Sequence, residues 1–234
     1  MASITAKNAD ALVTALAAID ISVPLRTEGR TTDHCERWSM CRLLAAIADS
    51  EYLNYPTAVV HRDRPDFHIK HGSMETGVEV TEVIPENDAA IDAYREHNDI
   101  EGPFFISRNK PGEARLNGAA LRSAAASDAP GDGWVGDSVE REWAVAMRAF
   151  ISAKVEKATK PGFQLFPENW LLMYDNWSLP AVDRDDAANR LYASMKDDDF
   201  GPFQAIWIES PDAIRCLSRR GVVTSEINDL WASS

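Results

Sequence analysis

The nine residues from Thr76 to Ile84 constrain this chain more than any other stretch, because they alternate with a period of two and stop at a proline. Val78, Val80 and Glu82 share one parity, while Glu79, Thr81 and Val83 share the other. Successive side chains of a strand point to opposite faces, so the run predicts a strand. Pro85 ends it, since proline has no N–H to give a central ladder. Thr57–His61 is a short β-branched run, Asp66–Lys70 alternates loosely, and His71-Gly72-Ser73 reads as a turn. Together these segments predict a meander in which 66–70 pairs antiparallel with 76–82.

Helical periodicity surrounds the meander. Residues 8–19 carry apolar positions three and four apart behind a capping Asn8. A second helix is expected from Thr32 or Asp33, with Trp38, Cys41, Leu44, Ala45 and Ala48 as its apolar stripe. With Asp33 as the cap, Glu36 completes a capping box. Further helices are expected over 86–97, 138–158 and 183–195, the last capped by Asp183. Trp170–Tyr174 and Phe203–Ile208 read as apolar strands, and the tail after Gly221 as a short helix presenting Ile227 and Leu230. Between about 98 and 137 the pattern weakens, which suggests an insertion with one short helix near 113–126. The whole reads as a single α/β domain over 1–234, a mixed β-sheet flanked by helices.

Charge and cysteine usage narrow the functional classes. A net charge of -13 argues against tight non-specific binding to a polyanion, which depends on Lys and Arg neutralising phosphates. Three scattered cysteines form no disulfide framework and suit a reducing, cytoplasmic setting. No run reaches the length of a membrane span, so no membrane partner is expected. There is no GxSxG elbow, no phosphate loop, no CxxC pair and no HExxH.

The chemistry converges on Arg64-Pro65-Asp66-Phe67 and on Glu79, thirteen residues after Asp66. If the two strands pair as expected, both carboxylates approach one end of a hairpin. Mg²⁺ commonly takes one or two protein carboxylates, with water and phosphate completing its shell. Asp66, Glu79 and the carbonyl of Val80 would therefore suffice for Mg²⁺ or Mn²⁺. Such an ion activates water and neutralises charge on a phosphodiester. The basic stretch His61-Arg62-Asp63-Arg64, with Lys70 and His71, offers a modest phosphate-contacting rim. Trp170, Trp177 and Trp207 are candidates for base stacking, although the first and last sit in apolar strands.

Pro65-Asp66 followed by a strand bearing Glu79-Val80-Thr81 resembles the PD-(D/E)XK nuclease superfamily. That superfamily includes restriction enzymes, repair nucleases and many phage-defence nucleases. The resemblance implies a restriction-endonuclease-like core, metal binding by Asp66 and Glu79, and assistance from a helical glutamate, for which Glu36 is the match. It covers roughly 33–95 and extends through the helix carrying Lys154 and the strand 170–174. The family lysine falls at Thr81, which has a hydroxyl but no charge. Lys154, Lys157, Lys70 and Arg64 are candidates for the missing cation. The implied activity is metal-dependent hydrolysis of nucleic acid. The alternative is a catalytically inactive module of the same fold that binds protein or nucleic acid as a regulatory or assembly subunit, or as a homodimer.

Overall fold

The computed structural model describes residues 3–102, 104, 109–127, 133–227 and 230–231. Its centre is an eight-stranded mixed sheet in which spatial order follows chain order. The strands are β1 (Ile4–Ala6), β2 (Thr57–His61), β3 (Phe67–His71), β4 (Met74–Val83), β5 (Glu168–Asp175), β6 (Ala205–Glu209), β7 (Ala213–Ser218) and β8 (Gly221–Glu226). From β1 to β4 the pairing is antiparallel. It is parallel from β4 through β5 to β6, then antiparallel again out to β8. Helices α1 (Ala9–Ala17), α2 (Thr32–Ile47), α3 (Glu86–His97), α4 (Gly118–Ala125), α5 (Ser138–Ala158) and α6 (Arg184–Ser194) flank this sheet.

Two apolar layers explain why the central strands are apolar on both sides. Leu12 and Leu16 of α1 and Met40, Leu43 and Leu44 of α2 pack with Phe67, Val78, Val80, Trp170 and Trp207. Trp143, Met147 and Ile151 of α5 and Leu191 of α6 pack with Val83, Leu171, Met173 and Ile206. Burial of this apolar area, at about 25 cal/mol per Å², holds the helices to the sheet. Period-two alternation thus feeds two cores at once, as a strand covered on both faces requires.

The expected elements are largely present, with informative differences. Asn8 caps α1 by accepting the Ala11 N–H at 3.0 Å, and Asp183 caps α6 by accepting from Asp185 and Asp186. The cap of α2 is Thr31, not Thr32 or Asp33, and its capping box closes through His34. Glu36 therefore has no capping duty. The chain after Gly221 forms β8 rather than opening a helix, because β7 offers it a full antiparallel ladder. Ile227 and Leu230 still pack on the α1–α2 core, while 228–229 and 232–234 lie outside the described residues. In the stretch expected to be an insertion, α4 matches the short helix, and residues 103, 105–108 and 128–132 lie outside the described residues.

Candidate functional site

The site arises where β3 and β4 part. Their ladder runs from His71↔Met74 to Phe67↔Val78, whereas β4 continues beside β5 as far as Val83. Beyond Val78, the β3-facing edge of β4 has lost its backbone partner. Buried backbone groups need partners, and side chains supply them at Val80. The Val80 N–H donates to Asp66 Oδ2 at 2.7 Å, and the Val80 carbonyl accepts from Lys154 Nζ at 3.0 Å. The residue just before β3 and a lysine of α5 thus take the place of the missing strand.

Glu79 lies one residue before this point and is 1% exposed. Its Oε1 accepts from Lys154 Nζ at 2.8 Å and from Lys157 Nζ at 2.7 Å. Residues three apart share a helix face, so α5 can aim both lysines at one oxygen. Lys154 is largely buried and Lys157 half exposed. Glu79 Oε2 is buried with no hydrogen-bond partner among the described residues. Burial alone would raise the Glu79 pKa, but the two ammonium groups outweigh it and hold the carboxyl below its usual range.

Asp66 behaves in the opposite sense. Burial first, and the Glu79 carboxylate second, push it up to about 6. The Val80 N–H and Lys154 offset this only in part, and the charge of Glu36 adds to the rise. Asp66 and Glu79 are thus two carboxylates whose charges repel in a half-buried setting, and one of them carries an unpartnered oxygen.

Gly77 makes the close packing possible. A Cβ there would lie 2.7 Å from Phe166 Cδ2 and 2.8 Å from Pro65 Cγ. Its missing side chain is the space into which Pro65 packs, which brings the next residue, Asp66, against β4. Sequence reasoning did not single out Gly77. A glycine inside a strand is the available signal for such an approach.

The other expected residues divide clearly. Thr81 is half-buried, and its hydroxyl reaches only the Glu82 carbonyl at 3.5 Å. Of the four candidate cations, Lys154 and Lys157 both stand beside Glu79, while Lys70 pairs with Glu75 and Arg64 with Asp63 at the surface. Glu36 projects from α2 and pairs with His61 Nε2 at 2.8 Å. The Val80 carbonyl, expected as an ion ligand, is engaged by Lys154. Trp170, Trp177 and Trp207 are all buried in the cores, so none presents a face to a base. His71 is buried too, against Thr76 at 2.9 Å, and leaves the expected basic rim to Arg62, Arg64 and Lys70.

A cleft of about 520 Å³ opens beside the parted strands, bordered by Arg26, Arg30 and Glu36 on one side and Val80, Thr81 and Glu82 on the other. It lies at the N-terminus of α2, the positive end of that helix's dipole. Arg30 pairs with Glu82 at 3.6 Å across it.

Comparison of the chain with protein-family models, with curated proteins and with solved structures found no match. Among the described residues, no helix is long and apolar enough to cross a membrane.

Proposed function

We propose that this protein is a divalent-metal-dependent phosphodiesterase acting on nucleic acid, of the PD-(D/E)XK nuclease kind. The observation that carries the reading is the meeting of Asp66, Glu79 and Lys154 around Val80, at the point where β3 leaves β4. Asp66 and Glu79 would hold Mg²⁺ or Mn²⁺, and the orphaned Glu79 Oε2 and the mutual carboxylate repulsion fit that ion. When bound, the ion supplies charge neutralisation to the phosphodiester and lowers the pKa of a water.

The chain's own groups do the rest. Lys154 would bring the cation that Thr81 cannot, from a helix rather than from the strand, and its ammonium would stabilise charge gained by a phosphate oxygen beside Glu79. Val80 fixes Asp66 and Lys154 relative to one another through a single peptide unit on each side. With its pKa pushed up to about 6, Asp66 is half protonated at that pH and becomes largely ionised only about one pH unit higher. Arg26 and Arg30 border the adjoining cleft, where flanking phosphates would lie.

A second reading rests on one specific observation: Lys154 and Lys157 already balance Glu79. On that reading the fold is a catalytically inactive module that binds protein or nucleic acid. One assay separates the two. Labelled single- and double-stranded DNA and RNA are incubated with Mg²⁺ or Mn²⁺ and with wild type, Asp66→Asn or Lys154→Met. The nuclease reading expects cleavage by wild type and losses of about a hundredfold or more in each variant. Cleavage that survives Asp66→Asn rejects the mechanism, and absence of cleavage by folded wild type favours the binding module.

A further inference from the structure

The geometry points to a transition-metal site formed by Asp33, Glu36 and His61, separate from the Asp66–Glu79 pair. One carboxylate oxygen of Asp33, one of Glu36 and a ring nitrogen of His61 all lie within 4.8 Å of one another. His61 Nε2 and Glu36 Oε2 are 2.8 Å apart. Ligands bound to one ion at about 2.0–2.2 Å stand roughly 3–4 Å from each other. That hydrogen-bonded pair is slightly closer than this spacing, so an ion that replaces the shared proton has only to part the two donors a little. Asp33, exposed at the surface, needs a side-chain adjustment of at most about 2 Å to complete the set.

The acidic pair by itself has a simpler explanation. Asp33, in the first turn of α2, is stabilised by the helix dipole, and Glu36 lies three residues on, on the same helix face. The dipole does not explain the imidazole. His61 ends β2, an element distant in sequence, and its ring is directed at the same carboxylate. That ring is held in place. It stacks on Phe67 at 4.6 Å with an interplanar angle of 24°, and the register of β2 and β3 puts these two residues opposite each other. The side chains of His61 and Glu36 are only 11% and 15% exposed, whereas Asp33 faces solvent. The result is two fixed ligands, one adjustable ligand and an open side for water or an exogenous donor.

The ligand chemistry selects the ion. Imidazole with two carboxylates suits Zn²⁺, Mn²⁺, Co²⁺ or Fe²⁺, whereas Mg²⁺ prefers oxygen alone. The chain thus carries two cation sites of different character: an oxygen-only pair at Asp66–Glu79 and a nitrogen-containing set at the mouth of the adjoining cleft, which Glu36 borders. The inference shares only Glu36 with the nuclease resemblance and uses neither Asp66 nor Glu79.

The test loads the whole protein with Co²⁺ or Mn²⁺ in the presence of saturating Mg²⁺. Calorimetry gives the Co²⁺ affinity, and pulsed electron paramagnetic resonance of bound Mn²⁺ reports imidazole nitrogen coupling. Wild type is expected to bind one Co²⁺ that Mg²⁺ does not displace and to show the nitrogen coupling. His61→Gln should abolish the coupling and weaken Co²⁺ at least tenfold. Asp33→Asn, at an exposed position that leaves packing untouched, should weaken Co²⁺ by a similar factor. Glu79→Gln should alter neither readout. The proposal is overturned if wild type shows no nitrogen coupling, or if Co²⁺ affinity is unchanged in both Asp33→Asn and His61→Gln. Loss of Co²⁺ in Glu79→Gln alone would also overturn it, by assigning the ion to the other pair. Failure of the nuclease reading would appear separately, in the Mg²⁺-dependent cleavage assay.

Discussion

Lys154 and Lys157 donate to the same oxygen of Glu79 at nearly the same distance, yet their removal should have very different consequences. Lys154 makes two charge-assisted bonds, to Glu79 and to the Val80 carbonyl, and its side chain is 18% exposed. Lys157 makes one such bond, and its side chain is 49% exposed. Hydrogen bonds to charged groups contribute about 1.5–3 kcal/mol each, and a buried acceptor left bare carries its own desolvation cost. Methionine retains most of the apolar stem, and Lys157 still covers Glu79 when Lys154 is gone. These considerations give about 2–3 kcal/mol for Lys154→Met. An ion pair screened by solvent is worth about 0–1 kcal/mol, which is the expectation for Lys157→Met. Urea denaturation at pH 7.5 in chelator would measure both, alone and in a Glu79→Gln background. The gap between the two variants should narrow in that background without closing, because Lys154 keeps its bond to Val80. Single variants within about 0.5 kcal/mol of one another would refute the reasoning, since burial and the second bond would then count for nothing.

The fold raises the Asp66 pKa from 3.8 to about 6, so it favours the protonated acid; metal-free protein should lose stability as pH rises between these values, and Asp66→Asn should be more stable than wild type at pH 7.5 in chelator melts. By the same linkage, Mg²⁺ affinity measured by calorimetry should fall about tenfold per pH unit below 6 and level off above 7. Arg42 pairs with Glu209, which is fully buried and pushed by burial up to about 7; Arg42→Met should cost about 3–5 kcal/mol in urea unfolding at pH 8, and Arg42→Met with Glu209→Leu should recover most of it. Gly77→Ala should cost about 1–3 kcal/mol by overpacking against Pro65 and Phe166, and Phe166→Ala should relieve only part of that loss, because the Pro65 ring remains in the way.

Much of this architecture was legible in the residue pattern. The period-two run through Glu79 with its proline stop became β4, and the caps at Asn8 and Asp183 began helices where side-chain oxygens could take orphan N–H groups. Local signals of this kind survive because they are satisfied within a few residues. The edge strands were less visible: β1 has three residues, and β8 has an exposed, mixed face that shows no core-facing alternation. Whether the chain after Gly221 pairs or coils depends on β7, which lies beside it only once the sheet has formed.

The site divides along the same line. Sequence by itself determined the chemistry available: a proline-fixed aspartate, a glutamate in a strand thirteen residues later, no lysine two residues beyond it, and lysines spaced three apart on a helix. That two of the four candidate cations, Lys154 and Lys157, reach Glu79 emerges only in the folded chain, since Lys70 and Arg64 are nearer in sequence and remain at the surface. The tertiary structure also drew Glu36 to His61 and closed the three tryptophans into the cores. The physical reason is the parting of β3 from β4. An unpaired backbone edge must be satisfied by whatever side chains packing delivers to it, and that delivery depends on how α5 settles against the sheet, a long-range outcome that no local pattern encodes.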